Sequence, residues 1–268
     1  HFFKNPETLV NKLKNEGYVI GERLSIALYL ALAKGKPLFL EGEAGVGKTE
    51  IAKTLASILK TPLIRLQCYE GLDISQSSYE WNYGKQLISI QSTNNKNLDL
   101  FSEDFLIERP LLKALRQKPG ERAVLLIDEL DRADEAFEAY LLEFLSDWQI
   151  TIPEIGSIKT EEPPIVVITS NRTREVHDAL KRRCYYSWVD YPDKDTELEI
   201  LKHRVPQTGP TLQTELVNFV QRLREEELYK SPGIAETIDW AEALVELNCV
   251  ALDPQTIDST IGVLLKYQ

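Results

Sequence analysis

The chain has 268 residues, 43% of them hydrophobic, and 31 basic against 42 acidic side chains give a formal charge of −11. Such a composition buries a core and excludes a disordered chain, while the acidic excess argues against general nucleic-acid binding, whose affinity rests on neutralising phosphates. No run approaches the roughly 18–20 apolar residues of a membrane span, His1-Phe2-Phe3-Lys4-Asn5-Pro6 lacks a signal-peptide layout, and the widely spaced Cys68, Cys184 and Cys249 read as reduced thiols, so a cytoplasmic protein without membrane contact is expected.

Residues 7–34 read as helical, with Leu9, Leu13, Val19 and Ile20 leading through Gly21 into the apolar run Ile26 to Ala33. Gly35-Lys36-Pro37 breaks that run. Pro37 to Leu40 is then a short buried strand, followed by a glycine-rich loop and a helix carrying Ile51, Leu55 and Leu59 at helical spacing. Further strands are expected at Leu63 to Gln67, Ala123 to Ile127 and Ile165 to Thr169, each a short apolar run of the kind buried on both faces of a parallel sheet, with helices between them that include Glu135 to Ser146. Alternating strands and helices specify a doubly wound α/β layer structure. After Tyr191-Pro192-Asp193 strand-like runs cease, and helices are expected near 194–204, 212–229, 235–247 and 254–267. We therefore expect a nucleotide-binding core over 1–192 and a small all-α domain over 193–268; the second holds 14 acidic and 7 basic residues, read as solvated helix faces.

Gly42-Glu43-Ala44-Gly45-Val46-Gly47-Lys48-Thr49 matches G-x-x-x-x-G-K-[ST] and lies between a buried strand and a helix, the context in which backbone N–H groups can surround a phosphate. In that setting Lys48 reaches the β- and γ-phosphates and the Thr49 hydroxyl ligates Mg²⁺. Glu50, Ile20 and Gly21 are counted with the loop as nucleotide-binding residues. Val124-Leu125-Leu126-Ile127 ends in Asp128-Glu129, placing two carboxylates at the carboxyl edge of a strand; Asp128 can hold the Mg²⁺ shell and Glu129 can polarise a water for in-line attack. A helix N-cap is the bland reading of that pair, and the neighbouring loop outweighs it. Ile165 to Thr169 ends in Ser170-Asn171, whose amide can position the water or touch the γ-phosphate.

Taken together these motifs resemble the AAA+ ATPases, and within them the MoxR subfamily, over about residues 7–267. The resemblance implies a P-loop core with a parallel sheet between helices, followed by a helical lid, and makes Gly42 to Thr49 the Walker A loop, Leu125 to Glu129 Walker B, and Asn171 sensor 1. Asp128-Glu129-Leu130-Asp131-Arg132-Ala133 is similar to the subfamily's Asp-Glu-Ile-Asn-Arg-Ala, with Asp131 in place of the asparagine, and Trp148 to Pro153 resembles its hairpin before sensor 1. Asn171 to Glu175, Ala179 to Cys184 and Ser231 to Thr237 are similar to the CoxD-like branch, associated with maturing the active site of carbon monoxide dehydrogenase. That likeness implies ATP and Mg²⁺ as cofactors, a homo-hexamer, a protein client and a von Willebrand A-domain partner. Arg183, with Arg182 as second choice, aligns with the arginine that reaches a neighbouring subunit's γ-phosphate; taken alone, the basic run is equally a solvated face. No sensor 2 arginine accompanies Ile234-Ala235-Glu236-Thr237.

The aromatic cluster Tyr79 to Gly84 reads as hairpin packing in preference to a client contact, and the scattered histidines and cysteines match no metal motif. A nucleotide-dependent binding switch without turnover is the alternative to a hydrolase. A phosphotransferase is disfavoured, since a glutamate beside the magnesium aspartate serves to activate water.

Overall fold

The computed structural model describes residues 2–92 and 99–266; within them the last helix, expected to run to 267, ends at Leu264, where Leu265 turns extended. In chain order the elements are α1 (Pro6–Asn15), α2 (Glu22–Lys34), β1 (Leu38–Glu41), α3 (Lys48–Leu59), β2 (Leu63–Gln67), α4 (Ile74–Ser77), β3 (Tyr79–Trp81), α5 (Tyr83–Ser92), β4 (Leu106–Glu108), α6 (Pro110–Leu115), β5 (Val124–Asp128), α7 (Glu135–Asp147), β6 (Gln149–Ile152), β7 (Gly156–Lys159) and β8 (Ile165–Ser170). They continue with α8 (Asp178–Lys181), β9 (Tyr185–Trp188), α9 (Lys194–Arg204), α10 (Pro210–Glu225), α11 (Ile234–Glu246) and α12 (Pro254–Leu264).

Five parallel strands form one sheet in the order β2-β5-β8-β1-β9. Because side chains alternate along a strand, each central strand feeds two cores. Leu125 and Ile127 of β5 pack with Phe39, Ile168, Leu141 and Phe144 on one face, while Val124 and Leu126 pack with Leu38, Leu40, Val167, Ile51 and Leu55 on the other. The molecule is thus an α/β structure with helices on both faces of a parallel sheet, followed by a helical region. That region has its own apolar cluster around Leu201, Leu216, Val220, Trp240 and Leu244, and the Trp240 indole donates to the Thr260 hydroxyl at 2.8 Å.

Four expectations need correction. The single helix over 7–34 is two, because Gly17 takes a left-handed conformation (φ +79°) and the chain is not helical again until after the cap at Gly21. Leu63 to Gln67 is an edge strand with one face covered and the other open: Ile64 and Leu66 are buried while Leu63 and Arg65 are exposed. β9 was not expected at all: Tyr185 to Trp188 adds to β1 as the opposite edge, half exposed. Finally, not all helical-region acidity is solvated. Glu197 is fully buried, held by Arg224 at 2.7 and 2.9 Å, Gln221 at 2.6 Å and Thr237 at 2.9 Å, the network that a buried carboxylate requires.

Two antiparallel pairs decorate the core, β6 with β7 and β3 with β4. In the second, Trp81 is buried against Phe101 (edge-on, 5.3 Å) while Tyr83 stays 60% exposed, so the aromatic segment divides between packing and surface.

Candidate functional site

Strands β1, β8 and β5 are adjacent and parallel, so the segments that leave their carboxyl ends converge on one edge of the sheet. β1 leads into Gly42–Gly47, which runs into the N-terminus of α3. Gly42 is required by close approach: a Cβ there would sit 2.2 Å from the Val189 carbonyl oxygen. A cavity of about 360 Å³ opens beside this loop. Gly45, Lys48, Thr49, Asp128, Glu129, Thr169 and Asn171 all border it, as do Tyr18, Ile234 and Arg204.

Lys48 is 5% exposed, and its ammonium donates to the carbonyls of Gly42 (2.7 Å) and Glu43 (2.5 Å). Burial lowers its pKa from 10.5 to about 8, against the raising influence of Asp131, Glu43, Asp128 and Glu129. Asp128 is 2% exposed; its Oδ1 accepts from the hydroxyls of Thr49 (3.0 Å) and Thr169 (2.6 Å). Glu129 turns out of the strand through a left-handed conformation (φ +55°), borders the cavity, and pairs with Arg132 at 3.2 Å. The Thr169 hydroxyl accepts from the Glu129 N–H at 2.9 Å, so one side chain orients both carboxylate positions.

Asp131, the residue that departs from the resembled motif, is 3% exposed and fastens the segment after β8. It accepts from the Asn171 N–H (3.2 Å), the Thr173 N–H (2.9 Å) and the Thr173 hydroxyl (2.7 Å). Removing the carboxylate leaves those donors unpaired, so Asp131→Ala is expected to destabilise the fold by about 2–4 kcal/mol. Urea unfolding measures this, and a loss below about 1 kcal/mol would contradict the anchoring role.

The helical region meets the loop directly. The Ala235 N–H donates to the Gly45 carbonyl at 3.2 Å, and Glu236 caps α11 by accepting from the Gly233 N–H at 2.9 Å. A Cβ on Gly233 would lie 2.6 Å from the Gly45 oxygen, so no larger residue fits this docking without a shift. Though the start of α11 carries no arginine, Arg204 at the end of α9 borders the cavity and approaches Glu50 at 3.4 Å.

The remaining expected site residues fall as follows. Ala44, Val46, Gly47 and Glu50 border the cavity; Gly42 and Glu43 lie behind it, in contact with Lys48. Ile20 and Gly21 are not among its lining, and Gly17, Tyr18 and Val19 take that place, with the Tyr18 hydroxyl donating to the Gly47 carbonyl at 3.3 Å. Arg182 and Arg183 are exposed at the end of α8, outside the cavity. Thr169 escaped the sequence reading because no motif marks it, Asp131 was noted only as a departure from the resembled motif and given no role, and Ile200, Arg204, Ile238 and Asp239 reach the cavity only through the packing of distant helices.

Among relatives, an uncharacterized protein of Staphylococcus epidermidis is 27% identical over 223 residues, covering 81% of this chain and 78% of its own. One of Staphylococcus haemolyticus is 27% identical over 220 residues, 80% of this chain and 77% of its own. In structure the chain is similar to two point mutants of Thermotoga maritima RuvB. One has a TM-score of 0.54 at 20% identity, covering 98% of this chain and 73% of that one. The other has a TM-score of 0.52 at 22% identity, over 91% and 70%. At that identity the likeness carries the fold alone. Residues 37–184, more than half of the chain and the span of the loop, both carboxylates and Asn171, match the family model of the AAA domain (dynein-related subfamily). The chain therefore belongs to the AAA domain family, in its dynein-related subfamily.

Proposed function

We propose that this AAA domain hydrolyses ATP and uses the energy to remodel a protein client. The observation that carries the reading is the convergence, around one cavity, of a glycine loop holding a buried ammonium, a hydroxyl–carboxylate pair and a glutamate at the next position. Lys48 and the loop N–H groups bind the phosphates, Asn171 positions the attacking water, and Glu129 takes its proton. Thr49 Oγ1 and Asp128 Oδ1, 3.0 Å apart, are hard oxygen donors of the kind that suits Mg²⁺, directly or through its waters. When bound, that ion offsets charge on the phosphate oxygens.

Residues 193–268 serve in this reading as a lid whose helix α11 rests on the phosphate loop through Gly45. Arg183 acts on the nucleotide of a neighbouring subunit, with Arg182 as second choice, which makes the working form a ring, taken as a hexamer. The motif likeness to the MoxR subfamily and its CoxD-like branch extends the proposal to maturation of a metalloenzyme active site, with a von Willebrand A-domain protein as partner, in the cytoplasm. Among the described residues no helix is long and apolar enough to cross a membrane.

A pH profile tests the phosphate site. Phosphate pairs with charged Lys48, whose pKa in the free protein is about 8. Below that pH the ammonium is already charged and affinity is flat; above it, binding must take up a proton and weakens by up to about tenfold per pH unit. Between pH 7.5 and 9, ATP affinity by calorimetry is expected to fall roughly tenfold. A pH-independent affinity would oppose the assignment.

A further inference from the structure

Asp128 has a partner that the ATPase reading does not use. Arg65 stands two residues before Gln67 on the edge strand β2, whose register sets Gln67 opposite Asp128. The Arg65 guanidinium reaches forward along the strand to Asp128 Oδ2, with Nε at 3.0 Å and Nη2 at 2.5 Å, and the same Nη2 donates to the Gln67 side-chain oxygen at 2.7 Å. With Oδ1 accepting from the hydroxyls of Thr49 and Thr169, both oxygens of this carboxylate are engaged. The ion pair is one-sided in burial: the Asp128 side chain is 2% exposed and that of Arg65 is 50% exposed.

A buried carboxylate without a counter-charge is costly, so a cation beside Asp128 is needed whenever no metal is near. A guanidinium is a permanent cation, so it does not give way to a second cation by becoming neutral. It must either move or repel. Movement is open to it, because half of the side chain already faces solvent and Nη2 can keep its bond to Gln67 while leaving Asp128.

We infer that Arg65 is a resident counter-cation of the metal-binding carboxylate, competing with Mg²⁺ for Asp128 and thereby setting the Mg²⁺ concentration the site requires. This rests on the ATPase reading, and it makes Arg65 a positioning residue, touching the carboxylate and not the nucleotide. In the metal-free state Arg65 neutralises Asp128 and keeps Oδ2 occupied. Metal entry with nucleotide shifts the guanidinium toward Gln67 and solvent. A purely structural tie predicts the opposite response to its removal, since a carboxylate that has lost its support binds metal less well.

The test is a Mg²⁺ titration of the full chain with a non-hydrolysable ATP analogue carrying a methylanthraniloyl fluorophore, beside a titration of the same probe in EDTA. Arg65→Gln, which removes the charge and keeps a hydrogen-bonding side chain, is expected to lower the half-saturating Mg²⁺ about 3- to 10-fold, the range for one half-exposed charge beside the ion. Probe affinity in EDTA is expected to stay within about twofold of the parent, and Arg65→Lys to restore most of the parent Mg²⁺ requirement. A midpoint that is unchanged or raised in Arg65→Gln overturns the inference while leaving the nucleotide site standing. No probe binding by the parent in either buffer overturns both. If Arg65→Gln does not fold, Arg65→Lys decides: its ammonium lacks the paired Nε and Nη2 donors, so it holds Asp128 less firmly and is expected to lower the half-saturating Mg²⁺ about twofold, and a midpoint unchanged or raised overturns the inference.

Discussion

Glu129→Gln is expected to lower ATP turnover by at least about 10²-fold while leaving ATP affinity within about twofold of the parent, because the amide keeps the shape of the side chain but cannot accept a proton. The position supports that expectation. Asp128, one residue earlier, is buried and engaged by two hydroxyls and Arg65, so it is not free to act as a base. Glu129 is 31% exposed at the cavity border, held by its backbone N–H on Thr169 and by a surface ion pair with Arg132. Such an exposed pair contributes little and breaks readily, which leaves the carboxylate able to face a water. Steady-state phosphate release and equilibrium ATP binding, measured on the same preparation, check both halves. Turnover that survives the substitution removes Glu129 from the base role, and a parent that binds ATP without releasing phosphate favours the alternative of a binding switch.

The second large effect belongs to Arg183. Its guanidinium makes a long hydrogen bond of 3.4 Å to the Ala179 carbonyl, and the side chain is exposed and outside the cavity of its own subunit. In the proposed ring, an arginine so placed acts on the nucleotide of another copy. Its planar fork spreads charge over the transferring phosphoryl group, and removing it is expected to cost about 10³-fold or more in turnover. Specific activity of the parent is then expected to rise with protein concentration as rings assemble, while Arg183→Ala stays low at every concentration. Retained activity in Arg183→Ala with loss in Arg182→Ala would assign the role to Arg182; flat activity per chain with both variants active contradicts a shared site.

How much of this was legible in the sequence follows the range of the interactions. The loop Gly42 to Thr49, the carboxylates at the end of β5 and the asparagine after β8 were readable because each is a local pattern at a strand end, and the topology then sets those ends side by side. The β6–β7 hairpin was readable from its likeness to a motif before sensor 1. Harder to read was the break at Gly17, where apolar positions at Leu13, Val19 and Ile20 lead on toward the run at Ile26 while the backbone turns left-handed. Strand β9 was hidden because Tyr185-Tyr186-Ser187-Trp188 follows the basic run of α8 and lacks the continuous apolar character of the central strands.

The supporting side chains were illegible for a different reason. Arg65 lies 63 residues from Asp128, Thr169 lies 41 from it, and Asp131 bonds groups 40 and 42 residues away, so neither partner's local sequence signals the contact. The docking of α11 on the loop is of the same kind. An absent arginine can be read at Ile234 to Thr237, but that the backbone of Gly233 and Ala235 meets Gly45 instead appears only once the chain is folded.

Calorimetric titration of ATP with Mg²⁺ into the purified chain, with phosphate release followed in the same mixture, tests the central claim most directly. The account predicts saturable binding of one ATP per chain and phosphate release that persists over many turnovers. A chain that takes up no ATP would contradict the assignment of the cavity at Gly42 to Thr49 and, with it, the ATPase reading.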